Sequence, residues 1–541
     1  WARLGRSLVR ILPALAVFVV VLLAVRRMLP AADGFVARAA TLAVAGGLGF
    51  AVYGFAALWL WPRRQPEKLR VVLTGGGTGG HVYPALAIHT MLERRGMVDD
   101  TVYLGVKGRA EELIVPRHGL PLRFIHSAPY AGGSPLAKLR TLVVIARGVV
   151  ESMVTLVRFR PHLVVATGGY VSAPVIVAAF LLRPVLKLKI VVDEQNLVPG
   201  ILNKVASLLA NVVLVSFRET AYFIWSSRCV FTGYPVRQRY LEAPPDRNEV
   251  RQRLGIADDE RLILVSGGSM GSRSLIRVVG DTLDGLENIP RVQVVHAVGL
   301  MKGSEYNAVS DTVDRLQQTL GDRFDAETLT ARDASGRVVY RGFDYLHDLI
   351  DYQAAADLVI SRAGAGSLAE LSALGKAMLL VPKRGLPGDH QELNAIGIAD
   401  KGAAEVLFER RDSRTGVDLV DADSFVRFVT ELASDRERVA RLAGGAASLF
   451  FRGADDRVVG TVQALLDGAD VDVIAEIVEP PFVRFQRQFD SLVAHLDRSR
   501  EQGLYHRLYD IKIEEYLVSP SYLTVNTGIK LIGALRRTDL Y

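Results

Sequence analysis

The hydrophobic pattern divides the chain before any residue is given a role. Two long apolar runs come first, at residues 8–25 and 39–62, and the second carries no charge. About 20 apolar residues span a bilayer, so residues 1–68 are expected to form a membrane anchor with two transmembrane helices, at about 8–28 and 36–62. Arg3, Arg6, Arg10, Arg63, Arg64, Lys68 and Arg70 flank this pair, against Arg26, Arg27 and Arg38 between the runs. That asymmetry puts both ends on the cytoplasmic side. A secretory signal is the competing reading of the first run, because Arg3 and Arg6 precede it and the small residues Ala31 and Ala32 follow it.

From Leu69 the period changes. Short β-rich runs at 71–73, 102–105, 163–166, 190–192 and 212–216 alternate with helical stretches. Residues 242–260, polar and containing Pro244 and Pro245, read as a linker. The alternation then restarts at 262–266 and continues through 292–296, 338–341, 357–360 and 378–382 into helices that end near Leu466. Such alternation implies parallel sheets covered on both faces. The expected fold is therefore α/β, with two Rossmann-like doubly wound domains at 69–240 and 241–467 and a ligand cleft between their strand ends. After Gly468 the alternation stops. Residues 468–541 read as a helical extension, with Phe482, Phe485, Phe489, Leu492, Val493 and Leu496 at helical spacing and a further helix at 523–540.

Composition narrows the chemistry only a little. A net charge of +7 on 541 residues favours an anionic partner, nucleotide phosphates or a membrane surface, although most of the charge is mixed-sign solvated surface. The single cysteine, Cys229, allows no internal disulfide and no thiolate metal cluster, which fits a reducing compartment.

The loops after the strands carry more. Gly75, Gly76, Gly77, Thr78, Gly79 and Gly80 lie between a strand and a helix expected to begin near Pro84, with His81 at the same anion-binding corner. Gly75, Gly77 and Gly80 fit the dinucleotide spacing. The acidic residue expected about 20 positions on is missing, however, and no Lys-Ser or Lys-Thr pair follows the last glycine. Other strand ends lead into TGGY (167–170), DEQN (193–196) and GGSMGS (267–272). In the second half Gly364 and Gly366 precede a helix expected to carry Glu370 in its first turn. That carboxylate suits either the helix dipole or the two hydroxyls of a ribose. Gln391 and Asn394, three apart, are expected to share a helix face, either as ordinary surface polars or as a grip on sugar hydroxyls. Asp421 with Asp423, and Asp470 with Asp472, match a metal-binding carboxylate pair by spacing alone, since neither follows a strand at the cleft.

TGGGTGGHVYPALA, ATGGYVSAP, DEQNLVPGILNK, TGYPVR, GGSMGSRSL, DLVISRAGAGSLAELSALGKA and DHQELNA occur in an order that resembles the MurG family. The resemblance runs from about Leu69 to Leu466. It implies a glycosyltransferase fold of the B type and inverting transfer of N-acetylglucosamine from its UDP donor. The implied acceptor is a polyprenyl-diphosphate-linked sugar, lipid I becoming lipid II, at the cytoplasmic face of the bacterial inner membrane. The UDP-sugar is then a substrate, and no cofactor, site metal or nucleic acid is implied. By the same resemblance His81 is the catalytic base. Donor contacts fall on Thr78, Gly79, Gly80, Asn196, Arg237, Ser269, Leu346, Ala365, Gly366, Ser367, Leu368, Ala369, Glu370 and Gln391. Acceptor-side candidates are Tyr170, Asp193, Glu194 and Asn203. Two positions depart from the family: Asp193 stands where it usually has His, and Tyr234 where it has Asn. Asp193 is either an alternative base or the mark of a different acceptor. Residues 301–337 are also longer than the family needs. A UDP-hexose transferase to another glycolipid, and a membrane scaffold that binds nucleotide-sugars without turnover, remain as competing classes.

Overall fold

The computed structural model describes residues 67–129, 134–242, 244–268, 270–287, 289–302, 306–412 and 415–477, with a few positions between 479 and 529. The expected transmembrane pair lies outside the described residues, as does most of the 468–541 extension. No helix among the described residues is long and apolar enough to cross a membrane.

The first sheet contains β1 (Leu69–Thr74), β2 (Val98–Gly105), β3 (Leu122–Phe124), β4 (Leu163–Ala166), β5 (Lys189–Glu194), β6 (Val212–Val215) and β7 (Cys229–Phe231). Its order is β3-β2-β1-β4-β5-β6-β7 and every pairing is parallel. The connecting helices are α1 (Gly79–Arg94), α2 (Ala110–Ile114), α3 (Pro135–Phe159), α4 (Ser172–Leu186) and α5 (Ile201–Leu209). Successive strand residues face opposite sides, which splits the core in two. Val71, Leu73 and Val165 pack with α1, whereas Val72, Val164 and Ile190 pack with α3 and α4. All four residues of β6 are wholly buried. At roughly 1.5–3 kcal/mol for each such side chain, this explains why the strands are continuous Val/Leu runs with no polar alternation.

The second sheet contains β8 (Arg261–Ser266), β9 (Val292–Ala297), β10 (Phe324–Asp325), β11 (Thr330–Arg332), β12 (Val338–Phe343), β13 (Leu358–Ser361), β14 (Ala377–Leu380) and β15 (Ala404–Val406). It runs β10-β11-β12-β9-β8-β13-β14-β15, and only β10, β11 and β12 pair antiparallel. Its helices are α6 (Arg247–Leu254), α7 (Arg273–Glu287), α8 (Ala308–Leu320), α9 (Leu349–Ala355), α10 (Ala365–Ala373), α11 (His390–Ala399), α12 (Ala422–Ser434), α13 (Arg436–Leu449) and α14 (Ala454–Asp467). The extra length at 301–337 is thus α8 and an antiparallel edge.

Three local expectations change. The first helix begins at Gly79, with Pro84 inside it. The stretch read as a linker contains α6, whose Arg251 is buried and donates to Ala257 O (2.6 Å), Glu260 O (2.8 Å) and Ala355 O (3.2 Å). The last helix, α14, crosses back: Val458, Val462 and Leu465 enter the first domain's core beside α1. Farther on, Val525 and Ile529 pack on the second core, where Asn526 donates to Glu392 at 3.3 Å.

Candidate active site

In each sheet the strand order reverses beside one central strand, and the loops leaving that point form the crevice. In the first domain these loops follow β1 and β4. Thr74 pairs with Ala166, so Gly75 and Thr167 leave the sheet side by side. A Cβ on Gly75 would lie 2.0 Å from Thr167 Oγ1, which leaves room for glycine alone. The glycine loop is held from below by α2. Glu111, fully buried, accepts from Gly77 N and Val106 N, each at 3.0 Å.

His81 enters this corner from the first turn of α1. Its Nδ1 lies 2.9 Å from Thr167 O and 3.3 Å from Gln195 Oε1. Both partners are acceptors, so Nδ1 carries the proton and Nε2 keeps its lone pair. Burial pushes the imidazole pKa below its ordinary value, more than the Thr167 and Gln195 bonds raise it, and the ring stays neutral. Tyr170 stands beside the loop, with the Arg109 guanidinium 5.9 Å from its ring centre.

Behind Gln195 lies Asp193, which has no exposed surface. Gln195 Nε2 donates to its main-chain oxygen at 2.8 Å and to its Oδ2 at 2.6 Å. Asp193 Oδ1 is buried without a hydrogen-bond partner. Burial pushes the Asp193 carboxyl up to about 7; the Gln195 bond opposes this and the neighbouring Glu194 charge adds to it. Glu194 holds its own loop, accepting from Asn196 N (2.9 Å) and Asn203 Nδ2 (2.8 Å). Of the acceptor-side candidates, then, Tyr170 reaches the surface, while Asp193, Glu194 and Asn203 lie beneath the loop.

Across the cleft, α10 starts at Ala365 after Gly364, which offers no side-chain cap. Its first amides are therefore free for an anion. No acidic residue lies in its first turn; Glu370 is one turn further in. That removes the dipole reading and leaves the side chain aimed at Arg237, whose Nη2 and Nε lie 2.7 and 2.9 Å from Glu370 Oε1. Arg237 also donates to Tyr240 Oη at 3.0 Å and lies 5.1 Å from the centre of the Tyr83 ring on α1. Burial disfavours its charge, but the Glu370 carboxylate outweighs burial and raises its pKa. Both domains and the segment between them thus meet at one cation.

The remaining candidates separate. Gln391 accepts from Lys383 N at 2.9 Å, whereas Asn394 is fully buried. Asn394 accepts from Leu197 N (3.0 Å) and donates to Ala363 O (3.2 Å) and Asn196 Oδ1 (3.3 Å), so it struts the two domains together and does not grip a sugar. The Leu346 side chain is buried in the second core, leaving only its backbone for a ligand. Gly366 lies against Tyr234: a Cβ there would come 2.7 Å from Tyr234 Oη. Thr78, Gly79 and Gly80 start α1, Ser367, Leu368 and Ala369 form the first turns of α10, and Ser269 lies outside the described residues. Asp421 caps α12 through Ser424 N (3.0 Å) and Asp472 pairs with Arg457 (3.1 Å), consistent with chance spacing. Among the described residues no group of three or more His, Cys, Asp or Glu side chains is arranged to hold a metal. The sequence reading gave no role to Glu111, Gln195 or Tyr83. Gln195 and Tyr83 stood inside quoted motifs; Glu111 had no local signal and reaches the loop only because β2 neighbours β1.

The first sheet runs 3-2-1-4-5-6-7, and the second repeats the 3-2-1-4-5-6 order once its antiparallel edge strands β10 and β11 are set aside, so the class is a pair of Rossmann-like domains around one cleft. The comparisons specify it. Residues 71–215 match the glycosyltransferase family 28 N-terminal domain and residues 262–421 its C-terminal domain. A relative from Desulforudis audaxviator is 36% identical over 398 residues, covering 73% of this chain and 98% of its own. One from Moorella thermoacetica is 35% identical over 395 residues, covering 73% and 98%. Both are named as N-acetylmuramyl-(pentapeptide) pyrophosphoryl-undecaprenol N-acetylglucosamine transferases using UDP-N-acetylglucosamine. The crystal structure of Acinetobacter baumannii MurG, 24% identical, superposes with a TM-score of 0.52 over 73% of this chain and 99% of that one. The chain belongs to glycosyltransferase family 28 and is a hexosyltransferase of the MurG type.

Proposed function

We propose that the enzyme moves N-acetylglucosamine from UDP-N-acetylglucosamine to a polyprenyl-diphosphate-linked N-acetylmuramyl acceptor at the cytoplasmic membrane face, with inversion. The observation that carries this reading is the neutral His81 beside the glycine loop, its Nδ1 proton committed to Thr167 O and Gln195 Oε1. The acceptor hydroxyl attacks the anomeric carbon opposite the UDP group and His81 Nε2 takes its proton. The bond from that carbon to the phosphate oxygen breaks as UDP leaves. Arg237 and the open amides of α10 receive the diphosphate charge, and Glu370 turns from Arg237 to the ribose hydroxyls. The anchor at 8–28 and 36–62 holds the cleft near an acceptor that stays in the bilayer, raising its effective concentration.

The membrane reading has support in the folded domain as well. Leu136, Leu139, Val143, Val150, Val154 and Val157 form one exposed stripe along α3, with Arg140, Arg147 and Arg158 beside it. Ile201 and Leu208 of α5 extend the surface. An apolar patch of this size, edged with cations, fits an anionic bilayer.

The test is transfer of labelled sugar from UDP-N-acetylglucosamine to lipid I in detergent, with UDP release followed in parallel. In His81→Ala, turnover is expected to fall roughly 10²–10⁴-fold while UDP binding stays within about twofold. Full activity would remove the base assignment. Asp193 and Tyr234 favour one second reading, a different lipid acceptor, and UDP release only with another polyprenyl or glycolipid acceptor would establish it.

A further inference from the structure

We infer that Asp193 is a positioning residue for His81, acting through Gln195 to hold a second acceptor on the imidazole Nδ1 beside Thr167 O; this rests on the proposed role of His81. The argument starts from what each group can donate. Gln195 commits its amide nitrogen to two oxygens of Asp193, at 2.8 and 2.6 Å. The main-chain carbonyl accepts at every pH and the Asp193 carboxyl accepts on both oxygens once ionised, above about pH 7, so in that form the Gln195 amide has one workable orientation, with Oε1 toward His81. That oxygen, 3.3 Å from His81 Nδ1, and Thr167 O, at 2.9 Å, both demand a proton on Nδ1. Nε2 is left unprotonated.

The chain of bonds is buried at each step, since Asp193 and Gln195 are at most 2% exposed. Other charges face it too. Glu111 and His390 act on His81, and Glu194 and Tyr234 face Asp193. The Gln195 amide nitrogen donates to two oxygens of Asp193, and its orientation follows from them.

The experiment uses the full chain in detergent with UDP-N-acetylglucosamine and lipid I. Asp193→Asn supplies a donor that lets Gln195 turn over and point its NH₂ at a protonated Nδ1. Asp193→Asn and Gln195→Ala are each expected to lower kcat about tenfold with the donor KM within about twofold. The double variant should be no slower than Gln195→Ala alone, because both act on one orientation. Asp193→Asn removes a carboxyl that titrates at about 7, so the acid limb of kcat against pH should move to lower pH, a shift that loss of packing alone does not produce. Multiplying losses, an unmoved acid limb or a change confined to KM would each overturn the inference. Where Asp193→Asn melts below the assay temperature, the kcat and KM of Gln195→Ala decide it. A dead His81→Ala beside an unaffected Gln195→Ala would sink this inference alone, whereas an active His81→Ala would sink the base assignment beneath it.

Discussion

Gly169 shows how little room the catalytic corner has. Its φ is +73°, and a Cβ there would lie 2.3 Å from Gly76 O and 3.1 Å from His81 Cδ2. A left-handed alanine costs on the order of 1–2 kcal/mol, and the clash with rigid backbone adds to it. Gly169→Ala is expected to lose roughly 2–4 kcal/mol of stability and to slow transfer by displacing His81. Calorimetry and kcat on one preparation check this, and a wild-type melt would show that the loop yields. Asp193 makes a second prediction at this scale. Its folded-state pKa, about 7, lies above the unfolded value of 3.8. Between those values the native state holds more protons, so this stabilising contribution is complete below about 4 and is lost as pH rises to about 7. The melting temperature of wild type relative to Asp193→Asn should therefore fall from pH 4 to 7 and level off above; a flat difference would mean that Asp193 ionises normally. His81, Arg237 and Glu370 were legible because the family motifs carry them. Glu111 was not, since its contact with Gly77 spans 34 residues and depends on sheet order.

At the scale of elements, the strands were the most legible part, because a parallel strand buried on both faces must be a short apolar run. Helix α14 was the least. It follows the second domain in sequence, yet Val458 and Val462 are fully buried against the first. Its amphipathic pattern reports that one face is covered and says nothing of which core covers it. Arg94 and Arg95 on α1 pair with Asp455 and Asp456 at its start, but these are largely exposed and contribute little. Burial of its apolar face therefore holds α14 in place. Val462→Asp puts an unpaired charge into that core and should cost several kcal/mol. The first domain should become the protease-sensitive half although the substitution lies near residue 460. Cleavage appearing first in the second domain would show that α14 is only peripheral to the first.

For the whole molecule, topology relates the membrane reading to the cleft. Strand β1 begins at Leu69, at the edge opposite the catalytic loops, so the expected anchor joins the domain at its far end. Helix α3 runs from the catalytic edge, after β3, back to the start of β4 beside β1, about 37 Å for its 25 residues. Its outward stripe is apolar along its whole length, so a domain lying on that face would have its tether at one end and its cleft at the other, both at the bilayer. The sequence predicts an anchor and a helix separately; the sheet order sets the start of β1 beside the end of α3. Val150→Asp with Val154→Asp changes two exposed positions and should leave folding and turnover of a short-chain soluble acceptor unchanged. Transfer to the same sugar on a polyprenyl chain in anionic liposomes should drop about tenfold or more, since two desolvated carboxylates oppose seating on that face. Equal rates on both acceptors would mean that the α3 face does not seat the domain on the bilayer and serves another contact.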